Sequence, residues 1–448
     1  MNQQVRDELQ NIITGEVILP ASPGYDELRN VFNQTGSPAV IVRCKTNEDV
    51  AAAIRYARDN QLKLAVRSGG HSPGGLSTND GGLVIDLSPF NGVEVLDAKQ
   101  HLVRVGAGAK WGDAAKAMND YGMVISSGDT TSVGVGGLTL GGGIGWLVRK
   151  HGLTIDHLQA AEIVTADGET LRVSDQEHPD LFWAIRGGGG NFGVVTSLDF
   201  RAHPLKSIVG GTVIYGLDEM QTVLPKWNDY MRGAPEELTS TLVVFPGFGE
   251  QVPPSIFVSL CYGGEDEAAA NAAIKPLQEL GTVRRQDIQR KPYYKVLEEP
   301  ALPPNLKTVS SNGFAKTINP DILAAIGANY GRPGTPILQI RSLGGAMARV
   351  KSDATAFAHR DYEAFLLTAA FAPKDMPQQQ ADGINQKAWQ PLKPYTSGAY
   401  ANFLSDVSEA SVKTAYPTAT YARLAKIKAK YDPDNVFNQN HNIKPAKS

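Results

Sequence analysis

The sequence predicts an α+β protein, and three observations carry that prediction. Helical and strand patterns mix along the chain without the strict alternation that a doubly wound parallel sheet needs. Asp167-Gly168 lies between two strand-like runs in "AEIVTADGETLRVS" (161–174), the strongest short hairpin signal in the chain. Near residue 205 the texture changes: glycine clusters thin out, and candidate strands separated by helical patterns run to about residue 395. A chain of 448 residues is long for one core, so two domains are the default.

The elements follow in order. "TNEDVAAAIRYARDNQ" (46–61) has Thr46 and Asp49 at capping-box spacing ahead of apolar residues at helical spacing. "LKLAVRS" (62–68) alternates as a half-buried strand, and "GLVIDLS" (82–88) and "LVRVGAG" (102–108) read as further strands. "WGDAAKAMNDYG" (111–122) is helical and stops at Gly122. "PDLFWAIRGGGGNFGVVTSLDFRA" (179–202) reads as a short helix, a glycine run and a strand. Beyond residue 205, "TVIYGL", "TLVVFPG", "SIFVSLCYG" and "TPILQIRSLGGA" suggest a sheet with helices on one side. "YARLAKIKAKYDPDNVFNQN" closes the chain as a basic amphipathic helix stopped by Asp432-Pro433, followed by an Asn-rich tail.

Composition excludes several functions. Net charge is −3 with no dense Lys/Arg block, so nucleic acid has no electrostatic footprint. Cys44 and Cys261 form no metal-type spacing and read as buried thiols. No apolar run reaches membrane-spanning length, and the first twenty residues lack a signal-peptide pattern, so a soluble cytoplasmic protein is expected.

Glycine is concentrated locally: seven of the twelve residues from Gly134 to Gly145 are glycine. Glycine lets backbone approach a ligand without an intervening Cβ, and successive N–H groups in such turns form anion-binding nests. "RSGGHS" (67–72) and "SSGDTTSVGVGGLTLGGGIG" (126–145) both fit a cradle for a pyrophosphate-bearing cofactor, with Arg67 adding charge. Neither matches the dinucleotide fingerprint GxGxxG. Gly188, Gly190 and Gly193 do match, but they follow a helix and open a strand, the reverse of the required context. A P-loop is also missing, so a standard NAD fold or P-loop NTPase is disfavoured.

Four motifs in order carry a resemblance that spans nearly the whole chain. "VRSGGHSPGGLSTNDGGLVIDLS", "VGVGGLTLGGGIGWLVRKHGLTIDHL", "LFWAIRGGGGNFGVVTSLDF" and "YDPDNVFNQNHNI" resemble the berberine-bridge-enzyme-like FAD-linked oxidases of the vanillyl-alcohol-oxidase (PCMH-type) superfamily. The N-terminal run looks particularly like bacterial 6-hydroxynicotine-oxidase relatives. The resemblance implies a PCMH-type FAD domain over 1–205 with its core at about 36–205. It also implies a substrate domain over 206–395, an antiparallel sheet backed by helices, and a C-terminal segment, 396–448, returning to the FAD domain.

It implies residue roles too. The histidine of the RSGGH motif, here His71, is attached in the family to the flavin 8α-methyl group. Many relatives add a cysteinyl link, but Thr130 stands at that position in "TTSVGVGG", so a single link through His71 is expected. Val133 matches a position that controls oxygen's approach, and a small residue there resembles the oxidases. Leu138 replaces a histidine that some plant members use on the ribityl chain. The expected cofactor contacts are Arg67, Ser68, Gly69, Gly70 and Ser72 around His71; Asp129, Thr130, Val133, Gly134 and Gly137; Gly142, Gly143 and Gly145; and Val194, Asn402 and Asn440.

For an alcohol substrate a base must take the hydroxyl proton while the flavin takes hydride. Alkaloid-cyclising members use a glutamate where this chain has Arg341, and arginine cannot serve as base. Gln339 and Arg341 would share a strand face, and a surface strand residue is the plain alternative for Arg341. Tyr400, in "AYANF", matches a Y-x-N segment whose tyrosine is the base in carbohydrate- and polyketide-oxidising relatives. It shares a face with Asn402 if extended, and Arg341 is the candidate cation to lower its pKa. His151 and His157, six apart, are not placed as metal ligands on a helix face, His359-Arg360 is read as structural, and Glu298 and Glu299 are read as a solvated helix end.

The expected activity is an FAD-dependent oxidase that removes hydride from an alcohol and reduces oxygen to hydrogen peroxide. The alternatives are an amine oxidase acting on a C–N bond, a flavin dehydrogenase with another acceptor, and a non-catalytic flavin-binding protein. Arg341 would disfavour a cationic amine, which tips the reading to the alcohol. The expected partners are a small-molecule substrate and molecular oxygen, with no nucleic acid or membrane.

Overall fold

The computed structural model describes residues 7–248, 252–299 and 305–447. Its first sheet contains β1 (Glu16–Ile18), β2 (Val40–Arg43), β3 (Leu64–Arg67) and β4 (Leu83–Asp86), in the order β1-β2-β4-β3. Strands β2 and β3 both run parallel to β4, and the helix Asn47–Asp59 provides the crossover between them. Thr46 caps that helix through its hydroxyl, which accepts the Asp49 N–H at 3.2 Å. Its buried face presents Val50, Ala53, Ile54 and Ala57 to the core. The end of β3 delivers Ser68 to His71 to the site.

The second sheet is antiparallel throughout. It contains β5 (Val93–Asp97), β6 (Leu102–Gly106), β8 (Leu158–Val164), β9 (Thr170–Ser174) and β10 (Val194–Arg201), in the order β5-β6-β10-β8-β9. β7 (Met123–Val124) and β11 (His203–Pro204) pair as a short ribbon beside it. The hairpin of β8 and β9 turns at Asp167-Gly168, where Gly168 has φ +84°, as the sequence signal requires.

The third sheet contains β12 (Ile208–Gly216), β13 (Leu238–Phe245), β14 (Ser255–Tyr262), β15 (Val283–Gln286), β16 (Gln289–Lys291), β17 (Leu306–Ala315), β18 (Ile337–Ser342) and β19 (Ala364–Pro373). Its order is β15-β12-β14-β13-β18-β19-β17, with β16 also on β12. Side chains alternate across a strand. Leu242, Val244, Leu338, Ile340 and Leu366 pack with Val223, Trp227, Ile274 and Ile322 of the covering helices. Thr241, Val243, Phe245, Gln339, Arg341, Leu367, Ala369 and Phe371 take the other face and wall a cavity. The mixed parallel and antiparallel architecture is the α+β class.

The C-terminal helix Thr418–Tyr431 lies against the helix Pro179–Ile185. Lys428 is fully buried: its ammonium donates to the carbonyls of Asn191 at 2.6 Å and Phe437 at 3.0 Å, and to the Asp432 carboxylate. Asn191 Oδ1 accepts the Ile443 N–H at 2.9 Å. These bonds carry the tail back to the glycine run at 187–190. Among the described residues, no helix is long and apolar enough to cross a membrane.

The glycine-rich segment is not one continuous cradle. Val135–Gly141 is a short helix, and the glycines beside it are packed closely, Gly134 and Gly145 against backbone and Gly142 and Gly143 against the Phe357 and Thr154 side chains. A Cβ on Gly69 would lie 2.2 Å from the Gly134 nitrogen, so the two loops meet only because both residues are glycine. A Cβ on Gly145 would lie 1.2 Å from the Ser127 carbonyl oxygen. Gly145→Ala is therefore expected to lower stability by roughly 3 kcal/mol, read as a fall in the urea midpoint.

Candidate active site

A cavity of about 710 Å³ lies between the first two sheets and the third, a size in the range of ligand sites. Ser68, Gly69, Gly70, His71 and Ser72 line it at the end of β3. Asp129, Thr130, Val133, Gly134 and Gly137 line it from the following loop and helix, and Val194, Tyr400, Asn402 and Asn440 complete that wall. Four expected contacts stand outside it. The Arg67 guanidinium turns away to the Leu28 carbonyl. Gly142 packs against Phe357, Gly145 against Ser127, and Gly143 gives its N–H to Tyr400. Their glycine character answers close protein packing.

His71 Nε2 is 2.7 Å from Ser132 Oγ, and its ring stacks on Phe32 at 5.0 Å between centroids. Ser132 Oγ also donates to Glu299 Oε1 at 2.7 Å. Glu299 Oε2 accepts from Thr131 Oγ1 at 2.5 Å and from the Ser132 N–H at 3.1 Å. Glu298 and Glu299 are exposed, as a solvated end just past the short helix Tyr293–Val296 would be. The Glu299 carboxylate, however, is bound to the Thr131-Ser132 turn rather than free in solvent. The Glu298 backbone bridges the loop, its N–H donating to the Asp129 carbonyl and its carbonyl accepting from Thr131. Three donors on the Thr131-Ser132 turn draw in the Glu299 carboxylate. Burial lowers the pKa of His71, with Lys110 adding to the effect and Glu299 and Asp129 opposing it, so the imidazole is neutral at pH 7.

Tyr400 is 2 % exposed and is packed among Phe357, Phe365 and Phe403. Its hydroxyl oxygen accepts the Gly143 N–H at 2.9 Å and an Asn402 Nδ2–H at 2.8 Å. The extended segment expected around Tyr400 and Asn402 is a short 3-10 turn, Ala401–Phe403, that pairs the two side chains another way. Asn312 fixes the start of the turn through both the N–H and the carbonyl of Tyr400. Burial raises the Tyr400 pKa. The donors from Gly143, Asn402 and Ile144 pull the other way, and Arg341 contributes least.

Arg341 is not a surface residue, being 8 % exposed. Its guanidinium is paired with the Asp129 carboxylate, donates to Gln339 Oε1 at 3.2 Å, and lies 5.2 Å from the Phe403 ring centre. The expected shared face of Gln339 and Arg341 is present. The expected lowering of the Tyr400 pKa below its ordinary value is not, because burial outweighs the small opposing effect of the Arg341 charge.

Among the described residues, five buried polar atoms on cavity-lining residues lack a protein partner: Trp146 Nε1, Thr308 Oγ1, Arg341 Nε, Asn440 Oδ1 and His441 Nε2. Burial holds the His441 pKa down to about 4. A Cβ built on Gly137 or Gly190 would meet nothing within 4 Å, so backbone there faces open space. Unpaired donors and acceptors beside bare backbone fit a large polar cofactor such as FAD.

His151 and His157 are brought together after all, by chain reversal rather than a helix face. His203 stacks on His151 at 3.8 Å and its Nε2 lies 3.0 Å from His157 Nδ1. Among the described residues, no group of three or more His, Cys, Asp or Glu is placed to hold a metal ion. His359 is structural: its Nε2 donates to the Ala415 carbonyl at 2.9 Å and its ring stacks on Phe314.

Ser132, Glu299, Trp146 and His441 are site residues that sequence reasoning missed. His441 sat inside a quoted motif and beside Asn440. Nothing local marks Glu299, whose partner Ser132 lies 167 residues earlier.

Comparison with known proteins agrees with this geometry. Residues 38–174 match the model of an FAD binding domain, and residues 399–444 match a model described as berberine and berberine like. The chain is 33 % identical to (R)-6-hydroxynicotine oxidase of Paenarthrobacter nicotinovorans, over 97 % of this chain and 98 % of that protein. It is 30 % identical to chitooligosaccharide oxidase of Gibberella zeae, over 91 % of this chain and 87 % of the relative. The crystal structure of 6-hydroxy-D-nicotine oxidase from Arthrobacter nicotinovorans superposes with a TM-score of 0.87 at 31 % identity, covering 97 % of this chain and 98 % of that one. Likeness over the full length, with both models matched in order around the cavity, means that the chain belongs to the berberine-bridge-enzyme-like family of FAD-linked oxidoreductases.

Proposed function

We propose that the protein is an oxidase that removes hydride from an alcohol, a sugar or secondary-metabolite hydroxyl, and passes the electrons to dioxygen to give hydrogen peroxide. The observation that carries this reading is the Tyr400 hydroxyl, held by two N–H donors at the wall of the cavity. Those donors stabilise the oxygen when it is anionic, and Tyr400 takes the substrate hydroxyl proton. Because burial holds its pKa above 10, the base form is the minor species at neutral pH. Asn402 orients Tyr400, and Gln339 and Arg341 orient the substrate. FAD supplies the hydride acceptor when bound.

FAD attaches through His71 alone in this reading, held by Ser68 to Ser72, Asp129 to Gly137, Val194, Asn402 and Asn440. Cys44 and Cys261 are buried and neither lines the cavity, which supports a single link. Val133 lines the cavity, consistent with dioxygen as acceptor. The FAD unit is taken as 1–205 with the tail from 396, and the substrate unit as 206–395.

One observation favours a second reading, oxidation of an amine. The Asp129 carboxylate offsets the charge on Arg341, so the repulsion of a cationic substrate expected from the sequence is weakened. Anaerobic mixing with sugars, aromatic alcohols and amines tests both. Bleaching of the flavin by an alcohol, with one peroxide per turnover when air is admitted, is the expected result. Bleaching by amines only selects the second reading, and bleached flavin that is inert to air would mark a dehydrogenase. A flavin that nothing bleaches would mark a non-catalytic protein.

A further inference from the structure

The geometry points to a preparatory role for two residues that turnover does not use: Ser132 and Glu299 set the proton on His71 so that its Nδ1 is the nucleophile that bonds to the flavin. The inference rests on the proposed attachment through His71. A serine hydroxyl carries one proton, and an ionised carboxylate only accepts. The 2.7 Å contact between Ser132 Oγ and Glu299 Oε1 therefore consumes the serine proton. At its other 2.7 Å contact, with His71 Nε2, Ser132 Oγ can then only accept. Nε2 must carry the imidazole proton, and in a neutral imidazole that leaves the lone pair on Nδ1. The ring faces the cavity and is stacked on Phe32, so its plane is fixed as well as its tautomer.

The carboxylate is itself immobilised by Thr131 Oγ1 at 2.5 Å and the Ser132 N–H at 3.1 Å. It is also exposed to solvent, which gives a proton a way out. The bond formed joins Nδ1 to the 8α carbon, and a C–H bond of that methyl group breaks. Two electrons pass to the ring system and then to dioxygen. The Nε2 proton leaves to Ser132 as the serine proton passes to Glu299. That proton, the methyl proton and the two electrons end as one hydrogen peroxide. Ser132 and Glu299 are positioning residues, and the logic is that of a carboxylate fixing a histidine tautomer in acyl-transfer enzymes.

The test compares wild type with Glu299→Gln, Glu299→Asp and Ser132→Ala. The readouts are covalent flavin per chain after acid precipitation and the time course of covalent attachment when FAD is added in air. Total bound flavin and the thermal midpoint report folding. Glu299→Gln and Ser132→Ala are expected to bind FAD at the wild-type midpoint but to attach it roughly 10²-fold more slowly, with Glu299→Asp recovering part of the rate. Peptide mass should place the remaining flavin on His71. Attachment at the wild-type rate in both variants would overturn the inference and leave the His71 link standing. Wild-type protein that releases all its flavin in acid, or carries it on another residue, would overturn the link and the inference together. Ser132→Ala decides alone if Glu299→Gln does not fold, since it keeps the bond from Thr131 to Glu299.

Discussion

Tyr400→Phe is expected to lower kcat by roughly 10²- to 10³-fold on an alcohol substrate, with flavin content unchanged. The substitution removes one oxygen and leaves a ring that still packs among Phe357, Phe365 and Phe403. The pH profile makes the result specific. The Tyr400 pKa is raised by burial, so the fraction of phenolate grows as pH rises towards and beyond 10. Wild-type activity should climb across that window, and the climb should be absent from Tyr400→Phe. Stopped-flow reduction at a series of pH values measures both. Equal profiles for the two proteins would remove Tyr400 from the chemistry and shift the weight to amine oxidation, which needs less help from a base.

His71→Ala carries the second large effect: complete loss of acid-stable flavin, from one per chain to none. Among the described residues no cysteine lines the cavity, so under the proposed single link through His71 nothing else holds the cofactor covalently. Acid precipitation of the purified protein separates the cases, with colour in the pellet for wild type and in the supernatant for His71→Ala. The variant should still bind FAD without a bond, because Gly69, Gly70, Gly137, Asn440 and His441 remain on the cavity wall. Colour retained in the His71→Ala pellet would place the link elsewhere.

Much of this arrangement was legible in the chain because it is written in local patterns. Thr46 with Asp49, the Asp167-Gly168 turn and the alternation in β13 and β18 each follow from one short stretch and one rule. The two ten-residue strands β17 and β19 escaped notice. They place small polar residues, Ser310, Asn312 and Thr368, at buried positions where a half-exposed strand would show clean alternation. Tyr400 and Asn402 were paired correctly for a conformation that does not occur: Tyr400 is an extended residue leading into a 3-10 turn, and its hydroxyl accepts from the Asn402 amide in that turn. The glycine clusters were read as a ligand cradle, yet Gly142, Gly143 and Gly145 are glycine because other parts of the protein touch them. Glu299 lay beyond any local rule, because its meaning depends on a turn far away in sequence.

The walls of the cavity have a consequence for how the protein is made. The cavity lining joins Ser68 to His71 with Asn440 and His441, some 370 residues apart, and the buried Lys428 ammonium ties the late segment to Asn191. On the ribosome, the glycine loops emerge long before the strands and tail that enclose them. Domains fold in order as they are synthesised, and contacts of such separation form last. The pocket is therefore completed only when nearly the whole chain is free, which makes cofactor capture a closing event of biogenesis. Any attachment of flavin to His71 must come later still. A chain that stopped short of Phe437 would keep most of its sheet structure and have no closed chamber in which to keep a flavin.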